Sequence, residues 1–578
     1  MGTNVPVRRC TIPLLLAAAG SACAGALQFT DITSDAGISA LQITGPYPQE
    51  GFMMGGAAAG DFDRDGDVDL FIIRGGLVPD ALYLNDGDGT FTDVSAAWGL
   101  TDVLYSSGVA MGDYDNDGRL DLFVTTHGTQ TDGVMTGQHR LFRNMGSSFV
   151  DMAASAGVAM TSPVTPDGMG ASFGDYDLDG DLDLAVAGWR GQSSGNCLFR
   201  NNGDGTFTNV TTTAIDASLF PVRGFTPRFC DMDGDRYPEL LWVADFETSR
   251  YLRNDGDGTF SDITVLTGTA LDQNGMGSTI GDFDGDGRLD WYVSSIHGAN
   301  GLKTGNKLYM NQGGHVFTEV AAARGVDDGG WGWGVDAVDL DHDTDLDIVE
   351  ANGWVYGEWL GENVKCYIND GTGSFAESSA AVGLGNPLQT RGVLTIDIDD
   401  DGDRDVLFCA YNDAVRLHRN DLDGDATHWI RLWFDTSSQD DLAPDGFGTR
   451  VTINAGGVTQ VRCLDGGSTY LSVSELSVHA GLGAATVIDE ITVEWANGRV
   501  NRFRDVDADQ SLTIRPCFLD GDADGDGTVT FDDLGMLLEA WGQTVAPWRS
   551  GDVTGDGVVN FTDLDAMLDA WDARCPSL

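Results

Sequence analysis

Basic residues are scarce. The chain has 32 lysines and arginines against 90 aspartates and glutamates, a formal charge of −58 at pH 7. A nucleic-acid interface needs a basic footprint, and docking on an anionic membrane needs the same, so neither is expected. Proline is scarce too, at 15, while glycine reaches 79, which implies many tight turns in a β-rich fold. Beyond the N-terminus no apolar run is long enough to cross a bilayer as a helix. The nine cysteines include no zinc-type Cys-x-x-Cys spacing. A nucleophile elbow, a phosphate-cradling loop and a His-Glu-x-x-His helix are all missing. No catalytic residue can be assigned, and an enzyme is not expected.

Aspartate is abundant, and it is set in a fixed frame. Asp61, Asp63, Asp65, Asp67 and Asp69 alternate along one short stretch, with Gly66 at its sixth position. Hard Ca²⁺ takes roughly six to eight oxygens, alternate side chains of a tight loop converge on one point, and glycine lets the chain turn between them. Side chains at positions 1, 3, 5 and 9 are the ligands, and position 7 offers its backbone carbonyl. The frame returns at Asp113, Asp115, Asp117, Arg119 and Asp121, with Arg119 at the carbonyl position. It returns at Asp175, Asp177, Asp179, Asp181 and Asp183, and again at Asp282, Asp284, Asp286, Arg288 and Asp290. Asp339, Asp341, Asp343 and Asp347 keep the acids but place Thr344 sixth, and Asp397, Asp399, Asp401, Asp403 and Asp405 form a complete copy. One copy, Asp231 to Glu239, is degenerate: Arg236 stands sixth and a glutamate ninth, and the sequence does not decide whether it holds metal. The seven copies begin 51 to 62 residues apart.

Each copy has the same surroundings. A Gly-rich strand precedes the loop, as at Gly55 to Gly60, and a short apolar strand such as Leu70 to Ile73 follows it. Next comes a hairpin, Leu82 to Val94, whose Asp-Gly centre supplies the positive φ angles that tight hairpins need. Four short strands repeated seven times predict a seven-bladed β-propeller. Leu27 to Thr33 looks like the outgoing half of such a hairpin without its incoming half, and it is expected to pair with Val415 to Asn420 and close the ring.

These repeats, over roughly residues 27 to 425, resemble the FG-GAP or VCBS repeat, the calcium-bearing blade of integrin alpha-subunit propellers. After about Trp429 the acidic frame stops. Phe447 to Ile453, Gln460 to Ser472, the box His479-Ala-Gly-Leu-Gly483 and the strand Ile488 to Trp495 together resemble the ASPIC/UnbV module of cartilage acidic protein and its bacterial relatives. His479 lacks a serine or cysteine partner at an informative spacing and is read as a structural histidine bonding a neighbouring loop. Near the C-terminus two loops 30 residues apart place oxygens at EF-hand-like positions: Asp522, Asp524, Asp526, Thr528 and Asp533, then Asp552, Thr554, Asp556, Val558 and Asp563. Each runs into an amphipathic segment, and the pair resembles a type I dockerin. That resemblance implies a cohesin-like partner, although Phe531-Asp532 and Phe561-Thr562 replace the small hydroxyl residues such a partner usually reads. Cys517 and Cys575 bracket the tail and are placed to form a clasp, which export would permit.

The expected order is a cleaved signal peptide (1–26), a propeller (27–428), a small β module (429–516) and a small α-helical dockerin-like domain (517–578). Arg8 and Arg9, a short apolar run and small residues to Ala26 make the signal. Gly20 stands where a lipoprotein signal carries a leucine-like residue, which argues against anchoring through Cys23. The expected function is that of a secreted or cell-surface calcium-binding recognition or adhesion protein, with a protein or glycan ligand on the ring. The first alternative is a calcium-dependent lectin or polysaccharide-binding protein, with Trp189, Trp331, Trp333, Trp354 and Trp359 either stacking on sugars or packing between blades, and the second is a carbohydrate-active enzyme on a propeller.

Overall fold

The structure is a computed structural model that describes residues 27–43, 49–127, 138–160, 168–190, 195–385, 387–422 and 426–575. The expected signal segment, with Cys23, lies outside the described residues. The fold is mainly β. Each acidic repeat becomes a four-stranded antiparallel sheet. In the first, Ala57–Gly60 leads into the acidic loop, Asp69–Ile72 leaves it, and Ala81–Asn85 with Phe91–Asp93 forms the hairpin. The two strands flanking the loop are wholly buried, which is why they read as continuous small or apolar runs and not as an alternation. Six more sheets of the same order begin with Ser106–Gly112, Gly168–Gly174, Arg223–Cys230, Ser278–Gly281, Gly332–Val338 and Thr390–Ile396. The outermost strand of the last is Phe29–Asp31, with Phe29 opposite Asn420 and Asp31 opposite His418. Successive sheets share apolar clusters, and Ala57 and Leu70 of the first lie in one cluster with Leu394 and Leu407 of the last. The arrangement is propeller-like.

One feature was not foreseen. The segment 465–475 leaves the β module and runs among the first strands of all these sheets. Val473 exchanges backbone hydrogen bonds with Ala57 and Ala59 at 2.9 and 3.1 Å, and Val109 N–H donates to Leu471 O at 3.2 Å. Ser278 N–H and Val335 N–H both donate to Thr469 O, at 3.2 and 3.4 Å. Thr226 Oγ1 donates to Tyr470 O at 3.4 Å, and Thr469 Oγ1 donates to Val393 O at 2.6 Å. Tyr470 and Leu471 are buried, and burying side chains of this size is worth about 1.5–3 kcal/mol each. At its ends, Asp465 pairs with Arg228, and Glu475 takes a hydrogen bond from Arg404 at 2.8 Å. The segment therefore plugs the axis of the ring and ties the module to it.

The module consists of two sheets. His428–Phe434 lies between Val478–Gly483 and Gln510–Ile514, and Arg450–Ala455 lies between Val458–Cys463 and Val487–Glu494, which pairs on with Val500–Asp507. Its residues Ile430, Leu432 and Trp495 share one apolar cluster with Phe123 and Leu184 of the ring. His479 corrects the sequence reading: it is buried, neither ring nitrogen has a hydrogen-bond partner, and the ring lies 5.3 Å from that of His342. Burial holds it neutral, well below the usual histidine range.

The tail contributes two nine-residue helices, Phe531–Glu539 and Phe561–Asp569, whose inner faces bury Leu537 and Met567 beside Val529 and Val559. Thr530 and Asn560 cap them. Cys517 and Cys575 form a disulfide, as their bracketing position suggested. Among the described residues no helix is long and apolar enough to cross a membrane.

Candidate metal centres

The loops of the ring are built by their own backbones. In the first, Asp61 takes hydrogen bonds from Asp65 N–H and Gly66 N–H, both at 3.1 Å. At the far end Asp69 takes Phe62 N–H at 2.8 Å and Asn85 N–H at 2.9 Å. The same bonds recur from Asp175, Asp282 and Asp339 at the first position. The sixth residue always has positive φ: 104° at Gly66, 82° at Gly118, 92° at Gly180, 86° at Gly287 and 89° at Gly402. Thr344 and Arg236 adopt it as well, at 92° and 84°. The departures from glycine thus leave the backbone frame unchanged.

Closing the turn directs the carboxylates inward, and one oxygen stays unpaired. Oδ1 of the third-position aspartate is buried without a hydrogen-bond partner in Asp63, Asp115, Asp177, Asp284, Asp341 and Asp399. A buried polar atom with no partner is costly, and native proteins leave few of them. The ninth carboxyl is more deeply buried still. Burial raises Asp69 and Asp290 to about 8 and Asp121 to about 9, and it raises Asp183, Asp347 and Asp405 well above the usual range. Converging hard oxygens, one of them orphaned, and acids that resist ionising without a counter-charge fit a hard divalent cation. The residues that would hold it are those the sequence singled out: in each loop the first, third, fifth and ninth side chains and the seventh carbonyl. Three loops have an arginine on their acids: Arg119 pairs with Asp117, Arg288 pairs with Asp286, and two more come from outside the loops. Arg143 Nε lies 2.6 Å from Asp115, and Arg431 Nη1 lies 2.9 Å from Asp397.

The sequence reading missed a second recurrent residue. Each third strand ends in an asparagine whose Nδ2 donates to the second-position carbonyl of the preceding sheet's loop. Asn144 reaches Phe62 O at 2.8 Å, Asn201 reaches Tyr114 O at 2.9 Å, and Asn311 reaches Met232 O at 2.8 Å. Asn85 reaches Ile398 O at 2.9 Å, so the first sheet is latched to the last by the same bond. Each loop therefore sits on a seam between two sheets, where a bound cation would tie neighbours together.

The tail loops are self-satisfied. Asp522 takes Gly525 N–H and Gly527 N–H at 2.8 and 2.9 Å, and Asp533 takes Ala523 N–H and Thr530 N–H, both at 2.7 Å. Asp552 and Asp563 repeat this pattern. Burial raises Asp522 to about 7. The proposed sugar-binding tryptophans are packed. Trp331 stacks on Trp354 at 4.3 Å, Trp359 meets Trp331 edge-on, and Arg391 lies 4.5 Å over Trp333. Trp189 Nε1 donates to Asp245 at 3.0 Å.

Comparison with known proteins finds two families along the chain. Residues 61–124, 175–242 and 231–293 match the FG-GAP-like repeat, and residues 439–517 match the ASPIC and UnbV family. The chain is 28% identical to cartilage acidic protein 1 of Xenopus tropicalis over 225 residues, 37% of this chain and 32% of that protein. It is 28% identical to the Mus musculus and Homo sapiens proteins of that name over 244 residues, 41% of this chain and 35% and 34% of theirs. The match thus spans about a third of each relative. Among solved structures, one described as the crystal structure of BBS1N in complex with ARL6DN, soaked with lead, aligns with a TM-score of 0.38 at 11% identity, over 67% of this chain and 95% of that one.

Proposed function

We propose that this chain is an exported, calcium-stabilised recognition protein: a seven-bladed ring presents its loops to a protein or glycan ligand, and a dockerin-like tail attaches it to a second protein. The observation that carries the calcium reading is the orphaned third-position oxygen, which recurs in six loops of one frame. Calcium's role is structural. It neutralises acids that burial would otherwise protonate, and it fixes loops on the seams between sheets. The matches to FG-GAP-like repeats and to cartilage acidic protein 1 support a recognition role. In the tail, Phe531 and Phe561 are 77% and 76% exposed at the tenth positions of the two loops, each edge-on to a tryptophan of the other unit. This repeated aromatic face is the proposed attachment surface, in place of the hydroxyl residues a cohesin usually reads.

The test places the full mature chain on a broad glycan array in calcium and in EDTA, with a melt of the same samples. Calcium-dependent hits identify a glycan ligand and make the protein a lectin. A blank array from folded protein points to a protein ligand, sought by capture from exported proteins. Identical melts in calcium and in EDTA would refute the metal reading. The tryptophan packing described above weighs against sugar stacking at those residues.

A further inference from the structure

The degenerate loop is rewired around a histidine. Its backbone is that of the others: Asp231 takes Asp235 N–H at 3.2 Å and Arg236 N–H at 2.9 Å, and Met232 N–H donates to Glu239 at 2.9 Å. What differs is the hairpin of the following sheet. In four hairpins the fourth residue after the latching asparagine is glycine, namely Gly89, Gly205, Gly258 and Gly373. That glycine can lie against the third-position aspartate of the preceding loop. A Cβ on Gly373 would stand 3.1 Å from Asp284 Cβ, and one on Gly89 would stand 3.7 Å from Asp399 Cβ. In the hairpin that faces the degenerate loop the residue is His315, held at a φ of 58°. Its Nε2 lies 2.9 Å from Asp233 Oδ2, and its Nδ1 lies 3.0 Å from Tyr251 Oη. The loop without its glycine and the hairpin without its glycine thus face one another, and an imidazole fills the space between them. Asp233 has no orphaned oxygen, unlike its six counterparts.

We propose that Asp233, Glu239 and His315 form a site for a first-row divalent transition ion, zinc being the probe, distinct in chemistry from the all-oxygen loops. One atom from each residue lies within 4.8 Å of the other two. A nitrogen and an oxygen held tetrahedrally about 2.1 Å from one ion stand about 3.4 Å apart, so the 2.9 Å between Nε2 and Oδ2 is a hydrogen bond that a bound ion would replace by parting the two atoms by about half an ångström. Imidazole with carboxylates suits zinc and its neighbours, whereas calcium takes oxygens. With Nε2 on the ion, Nδ1 would carry the proton and donate it to Tyr251 Oη, 3.0 Å away, which would orient the ring as the outer support of a ligating histidine usually does. Two carboxylates balance the ion's charge. The proposal stands on this donor set and does not require calcium in the other loops.

The experiment uses the full mature protein in calcium buffer, titrated with ZnCl₂, with calcium and zinc counted separately by mass spectrometry after gel filtration. His315→Gly restores the residue of the other hairpins, and Glu239→Gln is the second variant. A melt in calcium establishes that each is folded. The expected result is one zinc fewer per chain in each folded variant than in the wild type, or at least tenfold weaker zinc affinity, at an unchanged calcium count. With Co²⁺ as probe, the visible absorption of a nitrogen-bound ion should be lost with His315. Equal zinc counts and affinities in wild type and a folded variant would overturn the proposal, and His315 would then be a hydrogen-bonded stand-in for an ion. Absence of calcium from the other loops would refute the calcium reading and leave this result standing.

Discussion

A third-position aspartate has one oxygen with nothing to bind, and this gives its substitution a condition-dependent effect. Asp284 Oδ1 is buried and unpartnered, and burial already holds the carboxyl above its usual range. On the calcium reading, Asp284→Asn removes a ligand and a charge together. In calcium at about 100 times Kd it should cost up to about 2.7 kcal/mol, the linkage of one site. In EDTA it should cost nothing or stabilise, because the neutral amide relieves the repulsion from Asp286. Denaturant titrations in the two buffers check this, and an equal loss in both would mean a packing role. The ninth-position acids set the pH dependence. A carboxyl whose folded pKa is raised stabilises the fold while it is protonated; that contribution is full below 3.8 and is lost as pH rises through the folded value. Metal-free protein should therefore lose stability on going from pH 4 towards pH 9, through the values of about 8 for Asp69 and Asp290 and about 9 for Asp121. Calcium should flatten or reverse that slope above neutrality, which melts across pH with and without the ion will show. That these acids converge was legible in the sequence, because alternate residues of a tight turn point to one side. The latching asparagines keep the same register, but most stand two residues before a glycine, where a turn alone accounts for an asparagine, so nothing in the sequence marks them as bonds between sheets.

At the scale of elements, the strands and the closing pair of Phe29 with Asn420 follow from periodicity and from an unmatched half-hairpin. The plug does not. The segment 465–475 has no alternation, and its partners lie as far off as Ala57, whose N–H donates to Ser472 Oγ across 415 positions. What the sequence does carry is the glycine content of the first strands, whose reason lies outside those strands. Gly56 gives that reason, since a Cβ there would stand 1.9 Å from Leu471 O. At Gly277 it would stand 2.5 Å from Thr469 O and 2.4 Å from Trp333 O, all of them backbone atoms that cannot step aside. Gly277→Ala should therefore destabilise by about 1–3 kcal/mol through overpacking. Gly535, inside helix Phe531–Glu539, has nothing within 4 Å of the same built atom. Gly535→Ala should stabilise the tail by about 0.5–1 kcal/mol. Opposite signs from one chemical change, read from denaturation midpoints, test the plug directly, and two equal effects would refute its role.

The whole molecule is a closed ring held by plug, latches and loops, with a tail outside that cycle. Arg499, from the module, lies 4.7 Å over Phe518 and 4.0 Å over Trp548, Arg502 N–H donates to Gly525 O at 2.6 Å, and Arg549 of the tail donates to Glu494 at 2.8 Å; contacts of this kind and the linking chain join the tail to the rest. Calorimetry in calcium should show ring and module melting together and the tail separately. Reduction of the Cys517–Cys575 bond should lower the tail transition alone, by an amount near the ~2–4 kcal/mol typical of such bonds. The charge makes a stronger demand. Eight ions at +2 each, six in the ring and two in the tail, would bring the formal −58 to −42. At about 2.7 kcal/mol each, six ring sites outweigh the whole ~5–15 kcal/mol of net stability of an ordinary domain. The ring should then be unfolded or only partly folded in EDTA at low ionic strength and neutral pH, so the metal-free titrations and melts above are made with added monovalent salt. Monovalent salt, which shortens the Debye length to about 8 Å at 0.15 M, should recover part of the loss by screening exposed acids. It cannot reach the buried ninth-position acids, so near-UV circular dichroism in EDTA with salt should fall short of that in calcium. Full recovery by salt alone would mean that the aspartates act as a diffuse field. Partial recovery completed by calcium would mean that they act as ligands.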